Sequence, residues 1–243
     1  MKRPTAGTVA WVYRVLLKRF GPRGWWPVTP PGGGRPLYAK KNTTGRLTAP
    51  QQFEVAVGTI LTQNTAWTNV EKALVELGRA GLLSSRALRR APLAKLYRAI
   101  RSSGYFRQKS RRLRDFCRFL AVCWGDRLDR FLDRPTAIVR RELLGLKGVG
   151  PETADSILLY AGRHPVFVVD AYTRRFGRRF GFFRTDDYQT VQGFFAERTR
   201  PAAAYYREYH ALLVELGKNY CRAAPRCAGC PLRLRCATGR PAR

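Results

Sequence analysis

Along most of this chain apolar residues recur at three- and four-residue steps, and the breaks between periodic stretches are short. That pattern restricts the fold to packed helices. In "TVAWVYRVLLKRF" the residues Val9, Val12, Tyr13, Leu16, Leu17 and Phe20 share one face, and Gly21-Pro22 ends the stretch. Further helical signals follow from "PQQFEVAVGTILTQNTAWTNVEKALVELGRAG" through "APLAKLYRAIRSSG", "RQKSRRLRDFCRFLAVCWG", "TAIVRRELLGLKG" and "GPETADSILLYAGR" to "TVQGFFAERT" and "AYYREYHALLVELGKNYC". Only "HPVFVVDAY" is β-branched and aromatic, and it is too short to found a sheet. Residues 27–49 are rich in Pro, Gly and polar side chains and read as a loop or insertion. The predicted class is all-α.

Charge narrows the partner. The 243 residues hold 46 Lys and Arg against 16 Asp and Glu, a formal net charge of +30. A field of that size implies a polyanion, and nucleic acid comes first because phosphate neutralisation supplies most sequence-independent affinity. A membrane surface fits less well, since no Arg-rich amphipathic stretch stands beside an apolar anchor. No apolar run reaches the roughly 18 residues needed to span a bilayer, and the N-terminal stretch lacks an apolar core with a small-residue cleavage site. The expectation is a cytoplasmic, nucleoid-associated monomer with reduced thiols.

Three local patterns carry chemistry. In "ELLGLKGVGPETADSILLYAG" an apolar helix end is followed by Lys147-Gly148-Val149-Gly150-Pro151 and a new helix start, the sequence form of a helix–hairpin–helix spanning about 141–161. Glycines permit the tight turn, Pro151 suits the first helical turn, and amides at the second helix start can face a phosphate. Downstream, "VFVVDAYTRR" sets Asp170 after four apolar or aromatic residues. It is either an N-cap or a catalytic carboxylate that activates water or stabilises an oxocarbenium-like cation. Finally, Cys221, Cys227, Cys230 and Cys236 crowd the C-terminus. Reduced thiols at that density argue for metal, although only Cys227 and Cys230 form the close pair usual in zinc sites. Cys117 and Cys123 fall on different faces of one predicted helix and read as small side chains rather than ligands.

Taken in order, "LKGVGPETAD", "VVDAYTRR" and C-x5-C-x2-C-x5-C resemble the helix–hairpin–helix DNA glycosylase superfamily in its endonuclease III-like, iron–sulfur branch. "ILTQNTAWTNVEKA", "SSGYFRQKSRRL" and "ETADSILLYAG" are most similar to the 3-methyladenine glycosylase III-like subgroup. The resemblance implies a two-lobed enzyme. A six-helix barrel lobe would span 50–165, and an iron–sulfur lobe would combine 1–24 with 166–243. Its partner would be double-stranded DNA containing a damaged base, which is flipped out before its N-glycosidic bond is cut. Asp170 matches the catalytic aspartate, and Gly148 and Gly150, beside Lys147, match the phosphate-gripping hairpin. Asn64, or its neighbour Gln63, takes the gap-filling position and Tyr105 the wedge. The four cysteines match the ligands of a [4Fe–4S] cluster, with zinc as the alternative. Arg226, Arg233 and Arg235 would then meet DNA phosphates.

One departure matters. Relatives that also nick the strand place a lysine two residues after the second hairpin glycine, where this chain has Glu152. A carboxylate cannot form an imine, so the resemblance implies a monofunctional glycosylase, with Glu152 serving as a favourable first-turn residue. The subgroup resemblance would place the aromatic set Trp25, Trp26 and Trp67, with Phe53 and Tyr172, partly in the base pocket, where aromatic faces stack well on alkylated purines. Trp67 reads equally well as core. The rival readings are an oxidised-pyrimidine glycosylase, with or without lyase activity, and a non-catalytic nucleic-acid-binding protein with a metal knot.

Overall fold

The computed structural model describes residues 4–38 and 46–240; the part of the predicted 27–49 loop at 39–45 and the extreme ends of both predicted lobes lie outside them. The protein is all-α: among the described residues the only β pairing is one isolated antiparallel bridge, Val28 to Leu37. None of the helices in these residues is long and apolar enough to cross a membrane. Two compact units emerge, one from residues 26–38 and 46–164 and the other from residues 4–25 and 165–240. They are called the hairpin unit and the cysteine unit.

The hairpin unit contains α2 (Ala49–Leu61), α3 (Trp67–Arg79), α4 (Ser85–Arg90), α5 (Leu93–Ile100), α6 (Phe106–Trp124), α7 (Leu128–Leu132), α8 (Thr136–Leu144) and α9 (Pro151–Ser156). A wider π turn, Ile157–Ala161, prolongs α9. Helix α2 starts with a capping box, Thr48 against Gln51, and every residue from Gln52 to Leu61 is buried. A helix apolar on nearly all sides belongs at the centre of its unit. Val70, Leu74, Leu96, Ile100, Leu113, Phe116 and Leu120 join it in the core. Each such fully buried side chain contributes about 1.5–3 kcal/mol of transfer free energy. The segment before α2 is fastened to it by Glu54, which is buried and accepts from Thr29 N and Oγ1. Burial raises the Glu54 pKa, against the two Thr29 bonds that lower it.

The cysteine unit contains α1 (Ala6–Phe20), α10 (Ala171–Phe180), α11 (Tyr188–Arg198) and α12 (Ala203–Asn219). Helix α1 begins at the N-cap Thr5 and ends at Gly21, φ 67°. The predicted β-like run forms no strand, and it feeds the core instead: Phe167 stacks on Phe195 at 4.0 Å, while Val168 and Val169 are buried. Helices α10 and α12 approach closely at Gly217, where a Cβ would fall 2.2 Å from Tyr172 Cδ1. Only glycine allows that crossing.

Candidate active site and nucleic-acid interface

In the hairpin unit the turn between α8 and α9 is built by Gly148, at φ 82°, and by Gly150, which is extended and caps α9 without any side-chain bond. Val149 N donates to Leu146 O at 3.0 Å and closes the turn. The backbone angle demands glycine, and a Cβ at Gly148 would also push the Arg112 side chain aside. Lys147 and Gly150 are exposed, and Glu152 occupies the first turn of α9.

Gln63 and Asn64 play different parts. Gln63 Nε2 donates to Gly148 O and to Thr153 Oγ1, both at 2.9 Å, and its Oε1 accepts from Arg112. Its amide is thereby committed to bracing the hairpin. Asn64 is exposed at φ 52°, and among the described residues no side-chain hydrogen bond engages it. Tyr105 sits at φ 44° as the N-cap of α6 and is 70% exposed, so it is not a core residue. Lys109 lies under both loops. The residue is 1% exposed, and its ammonium donates to Leu61 O, Thr65 Oγ1 and Ser103 O at 2.6–2.7 Å. Burial lowers its pKa to about 8, and the Arg112 charge adds to the shift.

Of the aromatic set, Trp26 and Trp67 meet edge to face, with centroids 5.2 Å apart, and Trp26 also packs on Tyr160 at 5.5 Å. Trp67 and Phe53 are buried. Trp25 and Tyr172 belong to the cysteine unit.

In that unit Asp170 is the N-cap of α10, with Oδ1 accepting from Thr173 N at 2.7 Å. Its other oxygen, Oδ2, lies 3.5 Å from His210 Nε2 on α12, and both residues are buried. Burial works to raise the Asp170 pKa, but His210 beside it and the Thr173 amide outweigh it and hold the carboxyl below its ordinary value. The cap and the candidate carboxylate are one residue, and the capping bond is part of what keeps it ionised.

The four C-terminal cysteines line a single cavity, walled by Phe176, Phe180, Leu216 and Leu232. Burial raises the Cys230 and Cys236 thiols, and the neighbouring cysteines raise them further. Backbone amides oppose the shift, from Leu232 at Cys230 and from Gly239 and Thr238 at Cys236. Arg179 Nη1 approaches Cys221 Sγ at 3.6 Å, and Arg175 Nε holds Cys221 O at 2.7 Å. Four sulfurs around one cavity, two of them receiving backbone amide donors, suit a multivalent metal group. No three Cys, His, Asp or Glu side chains among the described residues converge on one ion-sized position. Arg235 is exposed and its guanidinium stacks on Trp11 at 4.5 Å, while Arg233 Nε donates to Gly239 O at 3.3 Å. Arg226 is exposed.

Lys109, Arg112, His210 and Arg179 escaped the sequence reading. Each is tied to a predicted residue or its loop by a contact between separate segments of the fold, which spacing along the chain does not encode.

Residues 57–201 match the family described as HhH-GPD superfamily base excision DNA repair protein. A Methanocaldococcus jannaschii protein named as a DNA repair glycosylase is 37% identical over 227 residues, 93% of this chain and 94% of its own. The H. pylori 3-methyladenine DNA glycosylase, in its crystal structure bound to 1,N6-ethenoadenine, is 25% identical; the match covers 88% of this chain and 98% of that one, with a TM-score of 0.69. A non-covalent endonuclease III–DNA complex shares the fold at a TM-score of 0.76 and 24% identity, covering 97% of both chains.

Proposed function

The chain belongs to the HhH-GPD superfamily of base excision DNA repair proteins, and on that premise we propose that it is a monofunctional DNA glycosylase acting on alkylated purines. The observation that carries the reading is the buried Asp170, capping α10 beside His210, in a chain that has Glu152 where a lyase lysine would stand. An ionised Asp170 can orient a water or stabilise the cation that develops at the sugar as the base leaves. Glu152 offers no amine to attack the sugar, so the strand is left intact.

DNA would be gripped at the hairpin, where Gly148, Gly150 and Lys147 meet the phosphates of the duplex. Asn64 fills the vacated stack and Tyr105 wedges beside it; the bonds of Gln63 to the hairpin favour Asn64 for that part. The aromatic faces of Trp26 and Trp67 suit an electron-poor purine, and the likeness to a 3-methyladenine glycosylase supports the same substrate class. Cys221, Cys227, Cys230 and Cys236, which line one cavity, would hold a [4Fe–4S] cluster, favoured over zinc because only Cys227 and Cys230 form the close pair usual in zinc sites. When bound, that group cross-links the C-terminal turns and lets Arg226, Arg233 and Arg235 reach phosphates.

The test is base release from duplexes carrying 3-methyladenine, 7-methylguanine, thymine glycol or uracil, run beside Asp170→Asn. Release of methylated purines, lost in Asp170→Asn with DNA affinity kept, is the expected result. Preference for thymine glycol overturns the substrate class, and an Asp170→Asn variant as active as the parent overturns the catalytic assignment. Borohydride trapping at the rate of base release would overturn the monofunctional reading.

A further inference from the structure

Among the described residues four non-glycine positions adopt positive φ, and Asn64 and Tyr105 are two of them. Such conformations persist only where the surroundings over-determine them. Around these two, Lys109 supplies the determination. Its ammonium binds Leu61 O and Thr65 Oγ1, which bracket Asn64 in the chain, and Ser103 O, two residues before Tyr105. Lys109 N closes the same turn by donating to Tyr105 O at 3.0 Å. Thr65 Oγ1 passes the link on to Ser103 O at 2.5 Å, and Ser102 Oγ adds a bond to Asn69 O at 2.9 Å.

All three oxygens bound by the ammonium are neutral, although burying a lysine without a carboxylate costs several kcal/mol. A methionine would fill the same space without that cost. What only a three-donor head achieves is to fix the end of α2, the Asn64 loop and the turn before Tyr105 on one point. The Leu61 carbonyl at the α2 C-terminus is also a favourable place for a cation.

We propose that Lys109 is a positioning residue that presets the spacing of Asn64 and Tyr105, so that both enter the duplex as one element when the base leaves the stack. The inference rests on the assignment of those two residues to the vacated stack. It goes beyond that assignment because Lys109 itself is buried beneath them.

The experiment uses the full chain and a duplex with 2-aminopurine beside the lesion, whose fluorescence reports unstacking. Asn64→Ala and Tyr105→Ala are each expected to lower the flipped population about tenfold, within the range for a lost stacking contact. Lys109→Met should lower it about as much, with affinity for undamaged duplex unchanged, and adding Tyr105→Ala in that background should cost less than about twofold more, as coupled sites do. If Lys109→Met does not fold, Thr65→Val removes one acceptor and the Ser103 link and should lower flipping about threefold, which is roughly 0.65 kcal/mol. Normal flipping in Lys109→Met or Thr65→Val, with the Asn64 and Tyr105 variants impaired, overturns the proposal. So does a full tenfold Tyr105→Ala effect in the Lys109→Met background. Normal flipping in both Asn64→Ala and Tyr105→Ala instead sinks the assignment on which it rests.

Discussion

The two units reach their working geometry by different means. In the hairpin unit, side chains bind backbone and side-chain oxygens of neighbouring loops: Gln63 ties to Gly148 and Thr153, and Lys109 to Leu61, Thr65 and Ser103. In the cysteine unit, Asp170 lies beside His210 and accepts from Thr173 N, while the chain beyond α12 brings four thiols together, of which Cys230 and Cys236 are driven up by burial and by neighbouring cysteines. The first arrangement is closed by the chain's own donors and acceptors. The second leaves four sulfurs in a largely apolar wall, an arrangement that gains stability from something that takes their protons.

Replacing Cys230 by Ser should therefore hit one unit and spare the other. The expected loss exceeds about 4 kcal/mol in the cysteine unit, the scale of a lost metal site. Calorimetry should split into two transitions, the hairpin unit keeping its midpoint; a single unshifted transition breaks the comparison.

Acid should also act on the cysteine unit, through Asp170. Its folded pKa is depressed, so its stabilising contribution is present above the unfolded value near 3.9 and is lost as pH falls through the lower folded value. Asparagine keeps the cap acceptor and removes the charge. The urea midpoint of the parent should exceed that of Asp170→Asn at pH 7 and converge on it below about pH 4. A gap that persists unchanged to pH 3 contradicts the ionised, paired state.

In the hairpin unit, Gly148→Ala should cost about 1–2 kcal/mol from the left-handed backbone alone. The clash with Arg112 should add to this and disturb the brace through Gln63. A denaturant midpoint lowered together with duplex affinity sharpens the view of a self-closed hairpin, and an unchanged midpoint counts against it. The smallest effect is expected at Arg235→Ala. Removing its stacking on Trp11 should cost about 0.5–1 kcal/mol. Loss of one phosphate contact should flatten the salt dependence of DNA binding by about one unit of slope. An unaltered slope would make Arg235 a packing residue only.

What the sequence made legible follows the range of the interactions. The helices, their Thr48 and Asp170 caps and the Gly148 turn depend on residues within a few positions of one another, so pattern reading finds them. His210 meets Asp170 only because α12 packs on α10, and nothing in "EYHALLVEL" announces it. Lys109 was hidden for the opposite reason: it stands in the basic run "RQKSRRLR", where one buried lysine looks like its solvated neighbours. The 27–49 stretch carried no periodic signal because its attachments, the Val28–Leu37 bridge and the Thr29 bonds to Glu54, pair residues across a turn or across to α2.

Helix α10 carries Asp170 at its head and Arg179, which reaches the Cys221 loop, one residue before its end. Inserting or deleting a single residue between them would swing one end by about 100° relative to the other and shift it by about 1.5 Å. The carboxylate could not then face His210 while Arg179 still faced its sulfur. Substitutions in α10 can be absorbed one at a time; a change in its length cannot, and that makes these ten residues a fixed gauge between the reacting group and the C-terminal turns.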